Sequence, residues 1–195
     1  MTTNIPDDER RRFFRIDDDI ILEFLPVSEE AYSHANEELE NIQHSAFGLS
    51  ADFATLNHEY NPVLHNIKNN LPEVAHYFEL INSKLDRLSH HLLDRELAEP
   101  NQHTQSVNIS ASGIAFECNQ TFDDNQPMKI RLVLLPEKIG ILVFGRVRGA
   151  ISDKKNLLCI DFEHIRYNDQ ELMIKHNLNR QMEELRQRSE EKNKP

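Results

Sequence analysis

Residues 103–119 read HTQSVNISASGIAFECN, and this stretch decides the fold class. Apolar and polar side chains alternate over His103–Ile109 and again over Gly113–Asn119, which is the pattern of strands with one buried face. The residues between the two segments are serine, alanine and serine, and they lead into a glycine, a composition typical of turns. The stretch therefore predicts two short strands joined by a tight connection.

The same period continues towards the carboxyl end of the chain. Turn-rich pieces, Asp123-Asp124-Asn125 and residues 153–156, separate the segments. Five short strands in about 65 residues predict a small antiparallel barrel or sandwich. An earlier apolar segment, Ile20–Leu25, ends at Pro26 and can supply a sixth strand. The further predicted strands are Met128–Leu135, Ile141–Ile151 and Leu157–Ile165.

A helical region from Ser28 to about Pro100 separates the first strand from the others. Ser28, followed by Glu29 and Glu30, is a typical helix N-cap with acids in the first turn. Pro72 has the place of a first helical residue. A set of apolar residues is spaced alternately by three and four, the a and d pattern of a coiled coil over three heptads. Its members are Leu71, Val74, Phe78, Ile81, Leu85, Leu88 and Leu92.

This heptad seam has two interpretations. It can pack on its own domain, or it can meet a partner helix, most simply from another copy of the chain. Three uninterrupted heptads with few other apolar positions favour the partner helix around residues 71–95. Such a seam does not select between a dimer, a trimer and a tetramer.

A second apolar set precedes the seam. It has similar spacing but is interrupted by Pro62 and closed by Asn69-Asn70, so we expect a separate helix that is shorter or kinked. Its members are Phe53, Leu56, Tyr60, Val63 or Leu64, and Ile67.

The carboxyl end is predicted to be an amphipathic helix from Asp169 onward, fading into a frayed charged tail over residues 186–195. Four segments result: 1–27 with the first strand, 28–100 helical, 101–168 with the remaining strands, and 169–195. The helix is marked by Leu172, Ile174, Leu178, Met182 and Leu185.

Composition excludes several classes of function. The 195 residues include 22 basic and 33 acidic side chains, a net charge of −11, which argues against binding of nucleic-acid polymers or anionic membranes. Five glycines assemble neither a phosphate loop nor a dinucleotide fingerprint. The apolar runs are too short to span a membrane, and the first residues do not resemble a signal peptide. Cys118 and Cys159 are expected to be unpaired core thiols.

Two short motifs carry chemistry. Arg11-x-x-x-Arg15 lies just ahead of the first strand, and Asn108-x-Ser110-x-x-Gly113 joins two of the later strands. Each alone is weak: the arginines can pair with the flanking acids, and asparagine, serine and glycine suit any turn. Together, on a small β-barrel, they resemble the PilZ domain family of bacterial cyclic di-GMP receptors, whose signatures are RxxxR and [DN]xSxxG.

The resemblance covers roughly residues 8–27 and 103–167. It implies an α+β fold: a small antiparallel six-stranded PilZ-like β-barrel interrupted by a long helical, coiled-coil insertion, plus a C-terminal amphipathic helix. A branch of the family with long heptad helices forms tetramers through them, and this chain looks like that branch.

The resemblance also implies a ligand site. Arg11 and Arg15 would contact guanine and phosphate of cyclic di-GMP from an N-terminal arm, and Asn108, Ser110 and Gly113 would form the opposing floor. Arginine suits this ligand because its guanidinium fork engages the O6 and N7 acceptors of guanine as well as phosphate. Asparagine and serine offer amide and hydroxyl groups, and glycine permits a positive φ or a close approach of the backbone.

We therefore expect a cytoplasmic bacterial receptor that needs no cofactor and has no catalytic activity, oligomeric through its helical insertion. The alternative is a PilZ-like scaffold that has lost ligand binding and assembles a motility, pilus or secretion complex. The ligand hypothesis rests on Arg11 and Arg15 and on a local concentration of charge, since four of the 22 basic residues lie between positions 10 and 15.

The remaining polar residues form no motif that predicts a metal site or a catalytic site. The histidines form no HExxH motif, so no metal site is predicted. No serine, cysteine or threonine lies in a nucleophile motif, and Glu117, Asp161 and Glu163 have no spacing that selects them as bases. Arg146 and Arg148 share one side of a strand, where they are either surface decoration or flank a ligand.

Overall fold

The computed structural model of the chain describes residues 14–97, 104–148 and 156–192. Arg11 lies outside these ranges. In chain order the elements are β1 (Ile16–Pro26), α1 (Glu29–Ser33), α2 (Ala35–Asn41), a 3₁₀ turn (Ile42–His44), α3 (Ala46–Asn70), α4 (Pro72–Glu96), β2 (Thr104–Ser110), β3 (Gly113–Glu117), β4 (Pro127–Leu134), β5 (Ile139–Arg148), β6 (Leu157–Ile165) and α5 (Tyr167–Lys192).

Six strands of the described chain close into an antiparallel barrel. The order around it is β1-β2-β3-β6-β5-β4, and β4 pairs back onto β1. Alternate side chains point inward, as the period-two pattern requires. The predicted six-stranded barrel with long helices and a C-terminal helix is confirmed. Completely buried side chains of this core include Ile20, Ile109, Ile114, Ile130, Leu132, Ile141 and Ile160.

The first strand is longer than the sequence indicates. β1 begins at Ile16 rather than at Ile20, so it includes three consecutive aspartates. The middle one, Asp18, points inward and is only 4% exposed. It is compensated there by side chains of α5: His176 Nε2 lies 2.7 Å from its Oδ2, and Arg180 Nε donates to its Oδ1 at 2.9 Å. Strand composition rules miss this extension because the partners come from the other end of the chain.

The helix ends follow the predicted signals. The hydroxyl of Ser28 accepts from the Ala31 N–H, and Pro72 occupies the first turn of α4. α3 is a separate helix, as predicted, but it is not a shorter one, because α3 and α4 each have 25 residues and α3 continues through Pro62. A proline removes one helical hydrogen bond, and packing along α4 holds the rest of the helix.

The C-terminal helix begins at Tyr167 and extends to Lys192, so the fraying predicted from Arg186 is not what the described chain shows. Ser189 Oγ donates to the Leu185 carbonyl at 2.8 Å, and Arg188 pairs with Glu184 one turn earlier at 3.6 Å. Such contacts support a solvated helical end.

The helical region between β1 and β2 packs on one side of the barrel. Tyr32 and Leu39 cover Leu142 and Phe144 on the outer face of β5. Phe47 of α3 and Leu93 of α4 pack together with Val133 of β4. The outward-facing side chains of β2 and β3 lie on the other side, away from these two clusters.

The start of α3 lies directly against β5 at Gly140. A Cβ on Gly140 would be 2.7 Å from Phe47 Cδ1 and 2.9 Å from its backbone Cα. The Gly140 N–H donates to Ser50 Oγ at 2.9 Å. The absence of a side chain at this position therefore sets how closely the helix docks.

Gly140→Ala should lower the free energy of unfolding by about 1–3 kcal/mol, since a backbone neighbour has to move. Denaturant titration followed by circular dichroism measures it. Ser106→Ala, on the exposed face of β2, is the control and should change little. A Gly140→Ala protein as stable as the control would contradict the close docking of α3.

The predicted heptad seam is not the surface through which α4 meets α3. The α4 residues buried in the helical hairpin are Ala75, Ser89 and Leu93, each no more than 1% exposed. Polar pairs cross the same contact: Asn57 donates to Asp86 at 3.1 Å, and Lys68 to Glu79 at 2.9 Å.

The seam itself lies mostly at the surface of the single chain. Its residues Leu71 and Leu88 are 58% and 54% exposed. The apolar set of α3 is partly exposed as well, and five of its residues line a groove with Phe78 of α4. Those five residues are Leu56, Tyr60, Val63, Leu64 and Ile67. Both apolar stripes therefore share one side of the hairpin.

Within the described ranges, none of the helices combines the length and hydropathy needed to cross a bilayer.

Candidate functional site

The arginine that precedes β1 reaches the asparagine of the second motif. β1 pairs with β2 so that Asp17 lies opposite Asn108, which brings Arg15 alongside. Arg15 Nη1 donates to Asn108 Oδ1 at 3.4 Å, and Asn108 Nδ2 donates to Asp17 Oδ1 at 2.8 Å. Both ends of the Asn108 amide are thus engaged, which fixes its orientation.

Ser110 and Gly113 are the paired residues at the end of the β2–β3 hairpin, with Ala111 and Ser112 between them. The Ser110 side chain is completely buried, and its hydroxyl donates to the Gly113 carbonyl and accepts from the Ser112 N–H, each at 3.3 Å. In this geometry Ser110 shapes the turn that presents the motif.

Gly113 is needed for close approach rather than for an unusual φ. A Cβ at this position would lie 2.7 Å from the Ile160 carbonyl oxygen, 3.2 Å from Arg15 Nη2 and 3.4 Å from Asp161 Oδ1. Any larger residue would push β6 and the arginine away. The structure therefore brings together Arg15, Asn108, Ser110 and Gly113, while Arg11 lies outside the described residues.

The C-terminal helix α5 donates side-chain hydrogen bonds to the backbone of the second motif. Gln170 Nε2 donates to the carbonyl of Ala111 at 3.1 Å, and Asn177 Nδ2 to that of Ile109 at 3.5 Å. Burial raises the pKa of Asp169, and its ion pair with Arg166 at 2.8 Å works in the opposite direction. These contacts of α5 could not be predicted from the sequence. The amphipathic pattern of the helix predicts that one of its faces packs on the core, but it does not predict which loop that face contacts.

Arg146 and Arg148 share the outer face of β5 but have different surroundings. Arg146 donates to both oxygens of Glu29 at 2.8 Å and lies over the Tyr32 ring. Its hydrogen bond with Glu29 raises the pKa of Arg146 and lowers that of Glu29. Arg148 has a long ion pair, 3.9 Å from its Nε to Asp161 Oδ2, and 45% of its side chain is exposed.

Tyr32 completes the cluster around Arg146. Its hydroxyl donates to Glu163 Oε2 at 2.8 Å, and burial together with that carboxylate raises its pKa above the usual range. Arg146 therefore anchors α1 to the barrel.

No group of three or more histidine, cysteine or acidic side chains with metal-binding geometry occurs in the part of the chain that the structure describes. Both cysteines are free thiols, each partly buried.

Two solved structures match the chain, and the first of them supports the fold. A Xanthomonas campestris protein, a tetrameric PilZ domain that self-assembles through a helical bundle, matches with a TM-score of 0.52 and 12% identity over 89% of each chain. The Bacillus subtilis inhibitor of motility MotI matches with a TM-score of 0.45 and 14% identity, over 92% of this chain and 56% of that one. No curated protein sequence matches the chain.

A family model covers the part of the chain that carries the second motif. Residues 87–182 match the PilZ domain, from within α4 to within α5, and include β2 to β6. β1 and Arg15 lie outside this match, because the helical region separates them in sequence from the strands they join in space. On the family match, residues 87–182 carry a PilZ domain, and β1 completes its barrel.

Proposed function

We propose that this protein is a receptor for cyclic di-GMP with no catalytic activity of its own. The observation that carries the proposal is the contact of Arg15 with Asn108 directly beside Gly113, on the outer face of the barrel. Residues of both family signatures thereby meet at one place, although the helical region separates them in sequence. The PilZ domain implies the cyclic di-GMP receptor family, which supports the same ligand.

The position of the helical region also favours a usable site. Helices α1 to α4 pack mainly on β4 and β5, whereas Arg15, Asn108 and Gly113 lie at β1, β2 and β3. Asn108 is partly exposed, so its edge is accessible to a ligand. Arginine beside an amide offers the donors that guanine acceptors and phosphate oxygens require.

Calorimetric titration of the full-length protein with cyclic di-GMP, beside GTP and cyclic di-AMP, tests the proposal. We expect selective binding of cyclic di-GMP. Arg15→Ala should weaken it about fivefold to a hundredfold, because one bidentate arginine contact is worth about 1–3 kcal/mol. Arg11→Ala should have a similar effect by family resemblance. Arg188→Ala, on the exposed end of α5, is the matched control and should bind like the wild type.

Absence of heat with all three nucleotides, from a protein with native circular dichroism, would overturn the receptor proposal. Equal losses in Arg15→Ala and Arg188→Ala would show that only net charge matters.

We further propose that the protein assembles with copies of itself through the exposed stripes of α3 and α4. Contiguous apolar residues on one side of a hairpin are costly to leave in water and are typical of an interface. Small and polar side chains make much of the contact between α3 and α4, so the heptad residues remain available to pack against a second hairpin. Oligomers formed by helical bundles place these positions in the shared core.

The exposed seam also favours a second candidate function, a scaffold without ligand. In that case the assembled helices would be the functional part, and the barrel would serve a motility, pilus or secretion complex. The titration distinguishes the two, because the scaffold predicts an oligomer that binds none of the nucleotides.

A further inference from the structure

The outer face of the barrel beside the motif is a floor of small side chains. Gly113 and Ala115 of β3 lie opposite Asp161 and Cys159 of β6, and Cys159 lies opposite Arg148 of β5. Glycine, alanine and cysteine project little above the sheet: Cys159 is partly exposed, while Gly113 and Ala115 are buried. It adjoins Arg15 and Asn108 on one side, since Asn108 is paired with Ala115. We call these three residues, Gly113, Ala115 and Cys159, the small-residue floor.

One carboxylate stands at the edge of this floor. The Oδ1 atom of Asp161 and the Nη2 atom of Arg15 lie 3.4 Å and 3.2 Å from the same point, the position that a Cβ on Gly113 would occupy. The other oxygen of Asp161 is 3.9 Å from Arg148 Nε. The side chain is 49% exposed. Asp161 therefore lies between two guanidinium groups and is accessible to a molecule lying on the floor.

An acid in a surface that binds an anion requires a physical reason, because it repels the phosphates of the ligand. Guanine provides one. Its N1–H and its N2 amino group are adjacent donors on one edge, and a carboxylate accepts from both. Adenine presents an acceptor at N1 and has no N2 amino group. Arg15 and Arg148 reduce the repulsion between the carboxylate and the phosphates.

We propose that Asp161 determines specificity for guanine by accepting hydrogen bonds from the N1–H and the N2 amino group of one base of the ligand. This inference rests on the proposed cyclic di-GMP receptor function and adds a residue outside both signature motifs. The base lies on the small-residue floor, Arg15 engages its acceptors or a phosphate, and Asp161 reads its donor edge.

A simple counter-ion role for Asp161 predicts the opposite sign. If the carboxylate only neutralises Arg15 and Arg148, its removal frees both arginines and strengthens binding of any anionic nucleotide. If it reads guanine, its removal weakens binding of guanine ligands specifically.

The test is calorimetric titration of the full-length wild type, Asp161→Asn and Glu117→Gln with cyclic di-GMP and with its inosine analogue, cyclic di-IMP. The analogue lacks only the N2 amino groups. Glu117 is an exposed acid at the end of β3, so Glu117→Gln makes the same charge change on the same face. We expect the wild type and Glu117→Gln to prefer cyclic di-GMP about tenfold or more, the loss typical of one charged hydrogen bond. Asp161→Asn should bind cyclic di-GMP at least tenfold more weakly and should prefer neither ligand.

The possible outcomes separate the two proposals. A wild type that binds cyclic di-GMP, with an Asp161→Asn variant that keeps its affinity and its preference, would overturn the role of Asp161 and leave the receptor proposal intact. Tighter binding by Asp161→Asn would establish the counter-ion role instead. A wild type that binds neither ligand would overturn the receptor proposal, and this inference with it.

Discussion

Replacing Ile81 and Leu85 together by glutamate is expected to convert the protein from an oligomer to a monomer. Both residues belong to the exposed seam of α4, Leu85 with 41% of its surface accessible in the single chain and Ile81 partly buried. In the proposed assembly they lie in a dry core between hairpins. A carboxylate buried there without a partner costs several kcal/mol, and two of them exceed what the seam contributes.

Sedimentation or light scattering of the purified protein measures the mass, and circular dichroism shows whether the helices remain. His76→Glu with Ser83→Glu is the matched control, because both are exposed positions of α4 outside the seam. That control should keep the mass of the wild type. A seam variant that keeps its helices and the oligomeric mass would rule out assembly through the seam.

Truncation of Asp18 is expected to have the largest effect on stability. Asp18→Ala leaves His176, itself 5% exposed, and Arg180 without the carboxylate that both contact. Breaking a buried ion pair in this way typically costs about 3–5 kcal/mol. For a chain of this length, that corresponds to a decrease of Tm of about 10 °C. Asp19→Ala, the exposed neighbour in β1, should change Tm little.

The same residue gives a prediction about pH. Burial raises the pKa of Asp18, but the hydrogen bond and charge of His176 and the charge of Arg180 lower it by more, so the result lies below the usual value. A folded-state pKa below the unfolded one stabilises the protein above about pH 4 and loses that effect as pH falls through the folded value.

The stability difference between wild type and Asp18→Ala should therefore be full at neutral pH and shrink below about pH 4. Urea titrations at pH 7 and pH 3 measure it. Glu137, 3.7 Å from His176 Nδ1, is the other acid facing this group, so Glu137→Gln is measured beside it. An Asp18→Ala difference that is equal at both pH values would contradict the role of the ionised carboxylate.

The local sequence was sufficient for the strands of the barrel. The five strands after residue 100 follow from alternation and turn composition, which act over a few residues. The cap at Ser28, the start of α4 at Pro72 and the end of α3 at Asn70 are local signals too. The start of β1 was missed because Asp18 is compatible with a buried strand only when α5 supplies its partners.

The residues of the candidate site also divide into those that the sequence predicts and those that only the structure reveals. Arg15, Asn108, Ser110 and Gly113 can be recognised from the sequence, because each motif occupies a short stretch. Asp161 cannot be recognised in this way, since its proposed role depends on its position in β6, directly opposite Gly113 of the neighbouring strand β3.

By itself, the sequence of this protein determined where strands and helices form, which helix faces are apolar and which short motifs resemble a known family. Only the tertiary structure decided that Arg146 is held by Glu29 while Arg148 borders the small-residue floor, and that most of the α4 seam stays exposed in the single chain. The physical reason is the distance along the chain over which each interaction acts. Helix caps and the periodic pattern of side chains depend on near neighbours in the sequence, whereas the register of the strands and the direction in which each helix face points depend on the packing of the whole core.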